Sequence, residues 1–447
     1  MSNLVIFMSD EHNPRYSSVY GHPFVHTPNM EKLAERGSLF LNAYTPSPLC
    51  LPARCAFLSG KRVHAIQTYS NCSLNLDSSH ETYGASLSGQ GIHTVHLGKT
   101  HYYAPSGSLG FDEIFLPKDT LGPGDANHRR NPLFIRKEGA QRADEFGVGE
   151  GSTARDTAAI DAAILWIQTV GSKMKQPWVL CVNVVGPHFP HYAPEKFWED
   201  YRNHEDLPEH GSEQASAAHP HAVSLREHFQ TEAFSERQVR GLRRGYYACV
   251  SYVDHQLGRL MGAVKDAALE DSTNIVYTSD HGEMLGKFGM WWKCSLYEDS
   301  VRIPCIAAGP DFKAGVRLAT PVDLHDLQAS CFSVTGARRP PDWVGTPLNL
   351  ITAEDGERPV FSEYHGHGTR SSSYMIRRGK WKYIYHVKAP AQLFDLECDP
   401  EELNNRAGQE QTVAAELHRV LLAVCDPEVE DKRAEALIEQ QIAILRR

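Results

Sequence analysis

Leu4-Val-Ile-Phe-Met-Ser-Asp10 is a short apolar run of strand-forming residues that ends in a carboxylate. Three later runs are also rich in apolar, strand-forming residues: His93–Lys99, Trp178–Gly186 and Asn274–Asp280. Helix-like segments lie between these runs, among them Ala154–Val170 and Gln238–Lys265. Nearly continuous apolar strands that alternate with helices are typical of a largely parallel sheet covered on both faces. The sequence therefore predicts an α/β fold in which polar strand ends meet at one edge of the sheet.

The pattern changes after residue 351. The segment SSSYMIRRGKWKYIYH, residues 371–386, indicates a hairpin of two strands that turns at Arg378-Gly379. A terminal helix is predicted from Gln411 to Val424. We therefore divide the chain into a catalytic domain, residues 1–351, and a smaller C-terminal α+β domain, residues 352–447.

Composition restricts the classes of function. The 447-residue chain has a formal charge of -10 and a pI near 6.1, which argues against nucleic acid as a partner. No apolar run is long enough to span a bilayer, and the N-terminal run lacks the basic start and the cleavage site of a signal peptide. Ten scattered cysteines without paired spacing suit a reducing compartment. We expect a cytoplasmic protein that acts on a small molecule and has no membrane partner.

The strongest chemical signal is the segment CLPARCAFLSG, residues 50–60. Pro52 suits the first turn of a helix and Gly60 suits its end. Cys50 would then lie at the positive N-terminal pole of the helix, where an anion is stabilised, with Arg54 one turn later. A single cysteine at a helix start is commonly a packing residue. Its combination with Pro52, Arg54 and Gly60 favours a reactive role instead.

This segment resembles the signature of the type I sulfatases, Cys-x-Pro-x-Arg followed by Ser/Thr-Gly. In that family a formylglycine-generating enzyme oxidises the cysteine to an aldehyde, whose hydrate attacks the sulfur of a sulfate ester. The resemblance extends from Leu4 to the segment LFDLECDPEELNN, residues 393–405. It implies that Cys50 becomes formylglycine and that Cys50 and Arg54 are catalytic. It also implies the alkaline phosphatase-like fold, a mixed, mainly parallel sheet between helices with a smaller antiparallel C-terminal sheet.

Two of the predicted strands end in Ser-Asp, at Ser9-Asp10 and at Ser279-Asp280. Carboxylates at neighbouring strand ends suit a hard divalent cation, although a lone aspartate there is more often a helix cap. The family resemblance implies a metal ligand set of Asp10, Cys50, Asp280 and His281. Many relatives have Asn in place of His281, and imidazole favours Mn²⁺ over Ca²⁺, so both ions are candidates. We leave Glu11 out of the set because its side chain is long, and we expect the Asp280 carboxylate to be exposed.

Further residues of the chain match other positions of the family, namely Asn71, Lys99, His101, His188 and Lys293. Lys99 and Lys293 can neutralise ester oxygens, and a histidine can transfer protons near neutral pH. The resemblance implies that His101 assists the release of sulfate from the aldehyde hydrate, and that His188 with Lys293 faces the leaving oxygen. Asn71 occupies the position of a residue that contacts the ester oxygens. Taken singly, each lysine would be a solvated surface charge and Asn71 an ordinary turn residue. Their joint occurrence favours the functional interpretation.

Several alternatives stay open. Phosphonate monoester and phosphodiester hydrolases of the same superfamily share this nucleophile and metal, and an unmodified chain could be a non-catalytic protein that binds a metal and an anion. The motifs are closest to choline-sulfatase-like sequences, and an aromatic wall for an organic group could be formed by Tyr102, Tyr103, Trp291 and Trp292. Such residues are more often core. His365 and His367 are interpreted as part of a solvated loop. Whether the protein forms a homo-oligomer also stays open.

Overall fold

A computed structural model describes residues 1–72, 80–101, 109–118, 128–136 and 138–446 of the chain. Its strands in chain order are β1 (Asn3–Asp10), β2 (Gly37–Tyr44), β3 (His93–Lys99), β4 (Glu113–Lys118), β5 (Phe146–Val148), β6 (Trp178–Pro187), β7 (His191–Ala193), β8 (Thr273–Ser279), β9 (Arg302–Ala308), β10 (Val316–Leu318), β11 (Val322–Asp323), β12 (Val360–Tyr364), β13 (Ser373–Arg378), β14 (Trp381–His386) and β15 (Gln392–Asp395).

The α-helices in chain order are α1 (Pro28–Glu35), α2 (Cys50–Ser59), α3 (Val63–Ile66), α4 (Tyr83–Ser88), α5 (Thr153–Thr169), α6 (Glu195–Glu199), α7 (Pro220–Phe229), α8 (Glu236–Asp266), α9 (Glu298–Val301), α10 (Leu324–Thr335), α11 (Gln411–Leu422) and α12 (Pro427–Leu445). Within the described ranges, no helix is both long enough and apolar enough to cross a membrane.

One large sheet organises the catalytic part of the molecule. In the described ranges it contains nine strands in the order β10-β2-β9-β8-β1-β6-β3-β4, with β11 also paired to β2. Strand β9 runs antiparallel to its neighbours β2 and β8, whereas the neighbours of β1, β3 and β6 are parallel. The mixed, mainly parallel sheet that the resemblance implied is therefore confirmed.

Strand β1 shows why the predicted strands are continuously apolar. Val5 and Phe7 belong to a core cluster with residues of α5 and α8 on one face. Leu4, Ile6 and Met8 belong to a second cluster with residues of α2 and α10 on the other face. Both faces of the sheet are covered, so both sets of alternating side chains are buried and apolar.

The carboxyl ends of the parallel strands bring polar residues to one edge of the sheet, as predicted. Strand β1 ends at Asp10, and β3 ends at Lys99. His188 directly follows β6, and Asp280 directly follows β8. Helix α2 begins at Cys50, after the loop that follows β2. The fold therefore delivers the predicted site residues from separate parts of the chain to a common edge.

A second, antiparallel sheet in the order β12-β13-β14-β15 lies in the C-terminal part, and α11 packs against β13 and β14. The predicted hairpin is confirmed, with its turn between Arg378 and Trp381. Helix α12, which the sequence analysis did not predict, packs against residues of α2 and α3 and the segment after them. It thereby supports the helix that carries Cys50. The domain boundary at residues 351/352 stays a prediction.

Gly60 follows the last residue of α2. Substituting it tests how much the end of this helix contributes to the stability of the protein. The Gly60 backbone is left-handed, with φ 63°, and a Cβ atom at this position would lie 2.6 Å from the Trp343 ring. Gly60→Ala combines backbone strain with a steric clash, so we expect it to lower the free energy of unfolding by about 2 kcal/mol or more. Urea denaturation measures this loss.

The matched control for this substitution is Gly262→Ala. Gly262 lies within α8, and an added Cβ atom there would meet nothing within 4 Å. Alanine has the higher helix propensity, so this variant should be neutral or more stable by up to about 1 kcal/mol. Equal destabilisation of the two variants would contradict the role assigned to Gly60.

Candidate active site

The Arg54 guanidinium joins the two strand-end aspartates. Its Nη2 donates to Asp10 Oδ2 at 3.0 Å, and its Nε donates to Asp280 Oδ2 at 2.8 Å. Its Nη1 donates to Asn183 Oδ1 of β6 at 3.0 Å. The Arg54 side chain is only 4% exposed, and both carboxylates are fully buried. Arg54 thus fixes one oxygen of each carboxylate and leaves the other, Oδ1, for further contacts around Cys50.

Cys50 Sγ lies within a group of ligand-type atoms. His281 Nε2 is 3.1 Å from Sγ, and Asp10 Oδ1 is 3.9 Å from it. His281 Nδ1 is 3.0 Å from the carbonyl oxygen of Gly282, so a neutral ring would carry its proton on Nδ1 and direct the Nε2 lone pair towards Cys50. One ligand atom each of Asp10, Cys50, Asp280 and His281 lies within 4.8 Å of the other three. The structure brings together the four residues predicted as metal ligands, and metal binding itself stays a prediction.

Negative charge is concentrated in this group. Burial raises the pKa of Asp280 to about 6, although the Arg54 charge opposes this shift. Burial lowers the pKa of His281, but the negative charges of Asp280 and Cys50 outweigh burial and raise it to about 10. The group therefore attracts positive charge, which either a proton or a metal ion can supply. Two carboxylates and an imidazole suit a divalent cation with oxygen and nitrogen ligands.

Lys99 adds a buried cation at the end of β3. Its Nζ donates a hydrogen bond to Asp10 Oδ2. Burial lowers the pKa of Lys99, but the negative charges of Asp10 and Cys50 raise it above the ordinary value, so the amine stays protonated. Burial raises the pKa of Cys50, but the charges of Lys293 and Lys99 contribute to lowering it well below the ordinary thiol value. The environment of Cys50 therefore stabilises an anion.

Lys293, His188 and Glu11 form a second polar group beside the first. Lys293 Nζ donates to His188 Nε2 at 2.6 Å and to Glu11 Oε2 at 3.0 Å. His188 Nε2 is 3.2 Å from Glu11 Oε2, and the His188 side chain is 23% exposed, whereas Lys293 is buried. The His188 Nδ1 lies 2.5 Å from the Phe189 carbonyl oxygen, which orients the ring. The structure therefore brings His188 and Lys293 together, and their role at the leaving oxygen stays a prediction.

Glu11 is a site residue that the sequence analysis underestimated. It is absent from the group of four around Cys50, but ligand-type atoms of Asp10, Glu11 and His188 also lie within 4.8 Å of one another, so its exclusion from the ligand set stays a prediction. Its backbone is left-handed, with φ 67°, directly after β1 ends. Burial raises the pKa of Glu11, but the charges of His188 and Lys293 outweigh burial and lower it. Glu11 is therefore the counter-ion of Lys293.

Glu283 is a further residue that sequence reasoning missed. Its Oε1 accepts hydrogen bonds from the backbone N–H groups of Leu285 at 2.8 Å and Trp292 at 2.6 Å. Burial, the charge of Glu11 and a hydrogen bond with Glu11 raise the pKa of Glu283 well above its ordinary value. The neutral Glu283 acid can therefore donate to the Glu11 carboxylate and support it. The signal was present in the segment SDHGE, where Glu283 follows the metal-ligand pair by two residues.

His101 and Asn71 lie on either side of the start of α2. The His101 side chain has a hydrogen bond with Cys50, which raises its pKa, but burial has the larger effect and lowers it. Asn71 Oδ1 accepts a hydrogen bond from the backbone N–H of Leu51 at 3.1 Å. Asn71 thus caps the helix next to Cys50. Its contact with a substrate stays a prediction.

Two expectations about exposure are wrong. Asp280 is fully buried because Arg54 compensates its charge. His365 and His367 are also buried, not solvated. His365 bridges the Glu363 carboxylate and the Ser372 hydroxyl, each at 2.8 Å. Residues far apart in sequence provide the compensation for Asp280, so no local pattern reveals its burial.

The aromatic residues considered for an organic group fall into two sets. Trp291 and Trp292 are 3% and 2% exposed, as the core interpretation expects. Tyr102 and Tyr103 lie outside the described residues. The described aromatic rings at this position are therefore packed inside the protein and offer little free surface to a ligand.

Comparison with solved structures defines the fold class. The chain aligns with phosphonate monoester hydrolase of Agrobacterium radiobacter with a TM-score of 0.76 and 21% identity, over 95% of both chains. It aligns with a 2-O GAG sulfatase with a TM-score of 0.73 and 23% identity, over 96% of both chains. These likenesses show the alkaline phosphatase-like fold of sulfatases and related hydrolases.

Comparison of sequences then identifies the family. A family model described as Sulfatase matches residues 2–337, and one described as N-sulphoglucosamine sulphohydrolase, C-terminal, matches residues 286–426. The choline-sulfatase of Rhizobium meliloti (strain 1021) is 34% identical, covering 91% of this chain and 82% of the relative. Arylsulfatase K of Danio rerio is 29% identical, covering 95% of this chain and 84% of the relative. The chain belongs to the sulfatase family and is an enzyme of sulfate ester hydrolysis.

The bridge made by Arg54 leads to a prediction about stability. Arg54→Gln leaves the buried carboxylates of Asp10 and Asp280 without their shared cation, so we expect a loss of about 3–5 kcal/mol in the free energy of unfolding. The measurement is urea denaturation in the presence of a chelator. Adding Asp280→Asn to Arg54→Gln should recover part of the loss, because it removes one of the two carboxylates that lose this cation, whereas Asp10 keeps its pairing with Lys99. Strictly additive losses in this double-mutant cycle would argue against the bridge.

Proposed function

We propose that this enzyme cleaves a small organic sulfate ester with a formylglycine nucleophile derived from Cys50 and with one divalent metal ion. The observation that carries the proposal is the position of Cys50 Sγ, 3.1 Å from His281 Nε2 and grouped with the carboxylates of Asp10 and Asp280. In the unmodified chain, Sγ stands for one hydroxyl oxygen of the hydrated aldehyde. Formylglycine supplies two such hydroxyls, one to displace the alcohol from sulfur and one for the later release of sulfate.

Several features of the chain favour an anion at this position. Cys50 is the first residue of α2, where the helix dipole stabilises negative charge. Lys99 and Lys293 both stay protonated, because nearby negative groups outweigh burial and raise the pKa of each. These two ammonium groups can stabilise the charge that develops on the sulfate oxygens, without reorganisation during the reaction.

The donor set supports a divalent metal. Asp10, Asp280 and His281, together with the modified Cys50, would hold it. When bound, the metal would act as a Lewis acid that activates the nucleophile and neutralises the ester oxygens. Arg54 positions the two aspartates by holding Oδ2 of each. Ca²⁺ and Mn²⁺ are both candidates, and the imidazole ligand favours Mn²⁺.

Proton transfer is assigned to the two histidines. Lys293 and His188 share a hydrogen bond and would together deliver a proton to the departing alcohol oxygen. His101, which hydrogen-bonds the Cys50 side chain, would accept a proton from the second hydroxyl as sulfate is released.

The cellular setting is also a proposal. All ten cysteines are free thiols, which supports a reducing compartment, and we assign the enzyme to the cytoplasm. Maturation then requires a formylglycine-generating enzyme acting on the same chain.

Hydrolysis of phosphonate monoesters is a second candidate function, because the cationic groups around Cys50 suit any tetrahedral anionic ester and the fold matches a phosphonate monoester hydrolase.

The nucleophile can be tested on one tryptic peptide. Residues 37–54 form such a peptide, and Cys50 is its only cysteine. Protein produced together with a formylglycine-generating enzyme should carry an aldehyde on this peptide by mass spectrometry. Its activity on 4-nitrophenyl sulfate should rise in proportion to the modified fraction, because a thiol cannot form the hydrate. Cys50→Ala should be inactive, and turnover at the native rate by fully thiol-form protein would refute the assignment.

The metal site leads to a separate prediction. Asp280→Asn keeps the shape of the buried side chain but weakens a ligand, so elemental analysis should show loss of the bound metal and the rate should fall about 100-fold or more. Asp271→Asn, at an exposed position, is the matched control and should keep both. Full metal occupancy in Asp280→Asn would show that the ligand set is wrong.

A further inference from the structure

Lys293 lies between two residues whose backbone is strained. Trp292 and Cys294 are both left-handed, with φ 63° and 76°, a conformation that residues with a Cβ atom adopt at a steric cost. Leu285 and Phe288, earlier in the same loop, are also left-handed. Strain of this kind persists only where surrounding contacts fix the backbone. The conformation around Lys293 therefore depends on the residues that hold this loop.

Two hydrogen bonds hold the strained backbone of Trp292. Its N–H donates to Glu283 Oε1 at 2.6 Å, and its carbonyl oxygen accepts from the Met284 N–H at 2.6 Å. Glu283 Oε1 also accepts from the Leu285 N–H at 2.8 Å. One buried carboxyl oxygen thus joins the two ends of the loop that leads to Lys293.

The backbone on the other side of Lys293 is attached to the segment before Cys50. The Cys294 N–H donates to the Pro48 carbonyl oxygen at 3.1 Å. The Cys294 carbonyl oxygen accepts from His221 Nε2 at 3.3 Å. These contacts fix the position of the Lys293 backbone relative to the start of α2.

Glu283 is also connected to the side chain of Lys293. It shares a hydrogen bond with Glu11, and Glu11 Oε2 accepts from Lys293 Nζ at 3.0 Å. Lys293 Nζ in turn donates to His188 Nε2 at 2.6 Å. Glu283 and Glu11 are fully buried. Glu283 therefore constrains Lys293 at its backbone and, through Glu11, at its ammonium group.

We propose that Glu283 is a positioning residue for departure of the alcohol, because it holds the strained loop so that the Lys293 ammonium group faces His188. The inference rests on the proposed function, in which these two residues deliver a proton to the departing oxygen. Glu283 does not touch the reacting atoms in this scheme. It acts through Lys293, and a small displacement of a catalytic group is enough to lower the rate.

The test compares two esters that differ in how much protonation the departing oxygen needs. Nitrophenolate leaves with little help from an acid, whereas phenolate is a poorer leaving group. Glu283→Met removes the acceptor of two N–H groups from a side chain of similar length. In aldehyde-form protein, we expect it to lower kcat/KM for phenyl sulfate about tenfold or more and for 4-nitrophenyl sulfate less than about threefold.

Two further substitutions at the same position separate hydrogen bonding from shape. Glu283→Gln keeps the oxygen acceptor and has an amide that can donate to Glu11, so its activity should stay close to that of the wild type on both esters. Glu283→Asp retracts the carboxyl group by one methylene and should show the selective loss on phenyl sulfate. Because aspartate stays polar, this variant supplies the measurement if Glu283→Met does not fold.

Asp399→Ala is the matched control for a lost carboxylate acceptor. Asp399 is buried in the C-terminal part of the chain and accepts from the N–H groups of Leu403 at 3.0 Å and Asn404 at 2.8 Å. This variant should lower the melting temperature, measured by circular dichroism, because two N–H groups lose their acceptor. It should leave the ratio of kcat/KM between the two esters unchanged.

A double-mutant cycle tests whether Glu283 acts through Lys293. In the Lys293→Ala background, adding Glu283→Met should lower kcat/KM for phenyl sulfate by less than about twofold, because the group that Glu283 positions is already absent. Elemental analysis should show the same metal content in Glu283→Met as in the wild type, since Glu283 is not in the predicted ligand set.

The outcomes distinguish this inference from the proposed function. The inference would be overturned by equal losses on the two esters, by a Glu283→Gln variant as impaired as Glu283→Met, by a full loss in the Lys293→Ala background, or by loss of the metal. In each case turnover of 4-nitrophenyl sulfate by aldehyde-form wild-type protein would leave the proposed function intact. If that protein cleaved neither ester, the proposed function would fail and the inference with it.

Discussion

Two carboxylates from different strands are buried beside each other because one guanidinium is shared between them. Arg54 reaches Asp10 and Asp280 across sequence separations of 44 and 226 residues, and without it two like charges would face each other in a medium of low dielectric. Helix α2, which provides Arg54, begins with Cys50 one turn earlier. The same helix therefore sets the charge balance of the site and the position of Cys50, the proposed nucleophile. Its own placement depends on Gly60 at its end and on α12 behind it.

The parts of the structure that follow from local pattern could be predicted from the sequence. Strand β3 has the predicted bounds, and β1, β6 and β8 differ from their predicted bounds by a residue, because continuous apolar runs mark strands buried on both faces. Strand order and the antiparallel β9 could not be predicted, since they depend on which distant segments pack together. Helix α12 was missed although its local signals, the N-cap Asp426 and Pro427 at its start, are in the sequence. The burial of Asp280 and the support of Glu11 by Glu283 were missed because in each case the partner residue comes from a distant part of the chain.

The charged residues of the site are already paired with one another before a substrate binds. Lys99 is paired with Asp10, and Lys293 is paired with Glu11. Burying each of these charges alone would cost several kcal/mol, so the pairs are needed for folding as well as for binding. An anionic ester that enters the site meets cations already held in place. Preorganisation of this kind avoids the free-energy cost of reorienting water around a developing charge.

The sulfate side and the alcohol side of the site are built from different parts of the fold. Residues around Cys50 come from strand ends and α2, which the large sheet holds rigidly. His188 and Lys293, which are proposed to face the alcohol, lie on connecting segments. Relatives can therefore keep one sulfate chemistry while the alcohol they accept changes. Membership of the family fixes the reaction at sulfur, whereas the leaving group that each chain accepts depends on the side chains of such connecting segments.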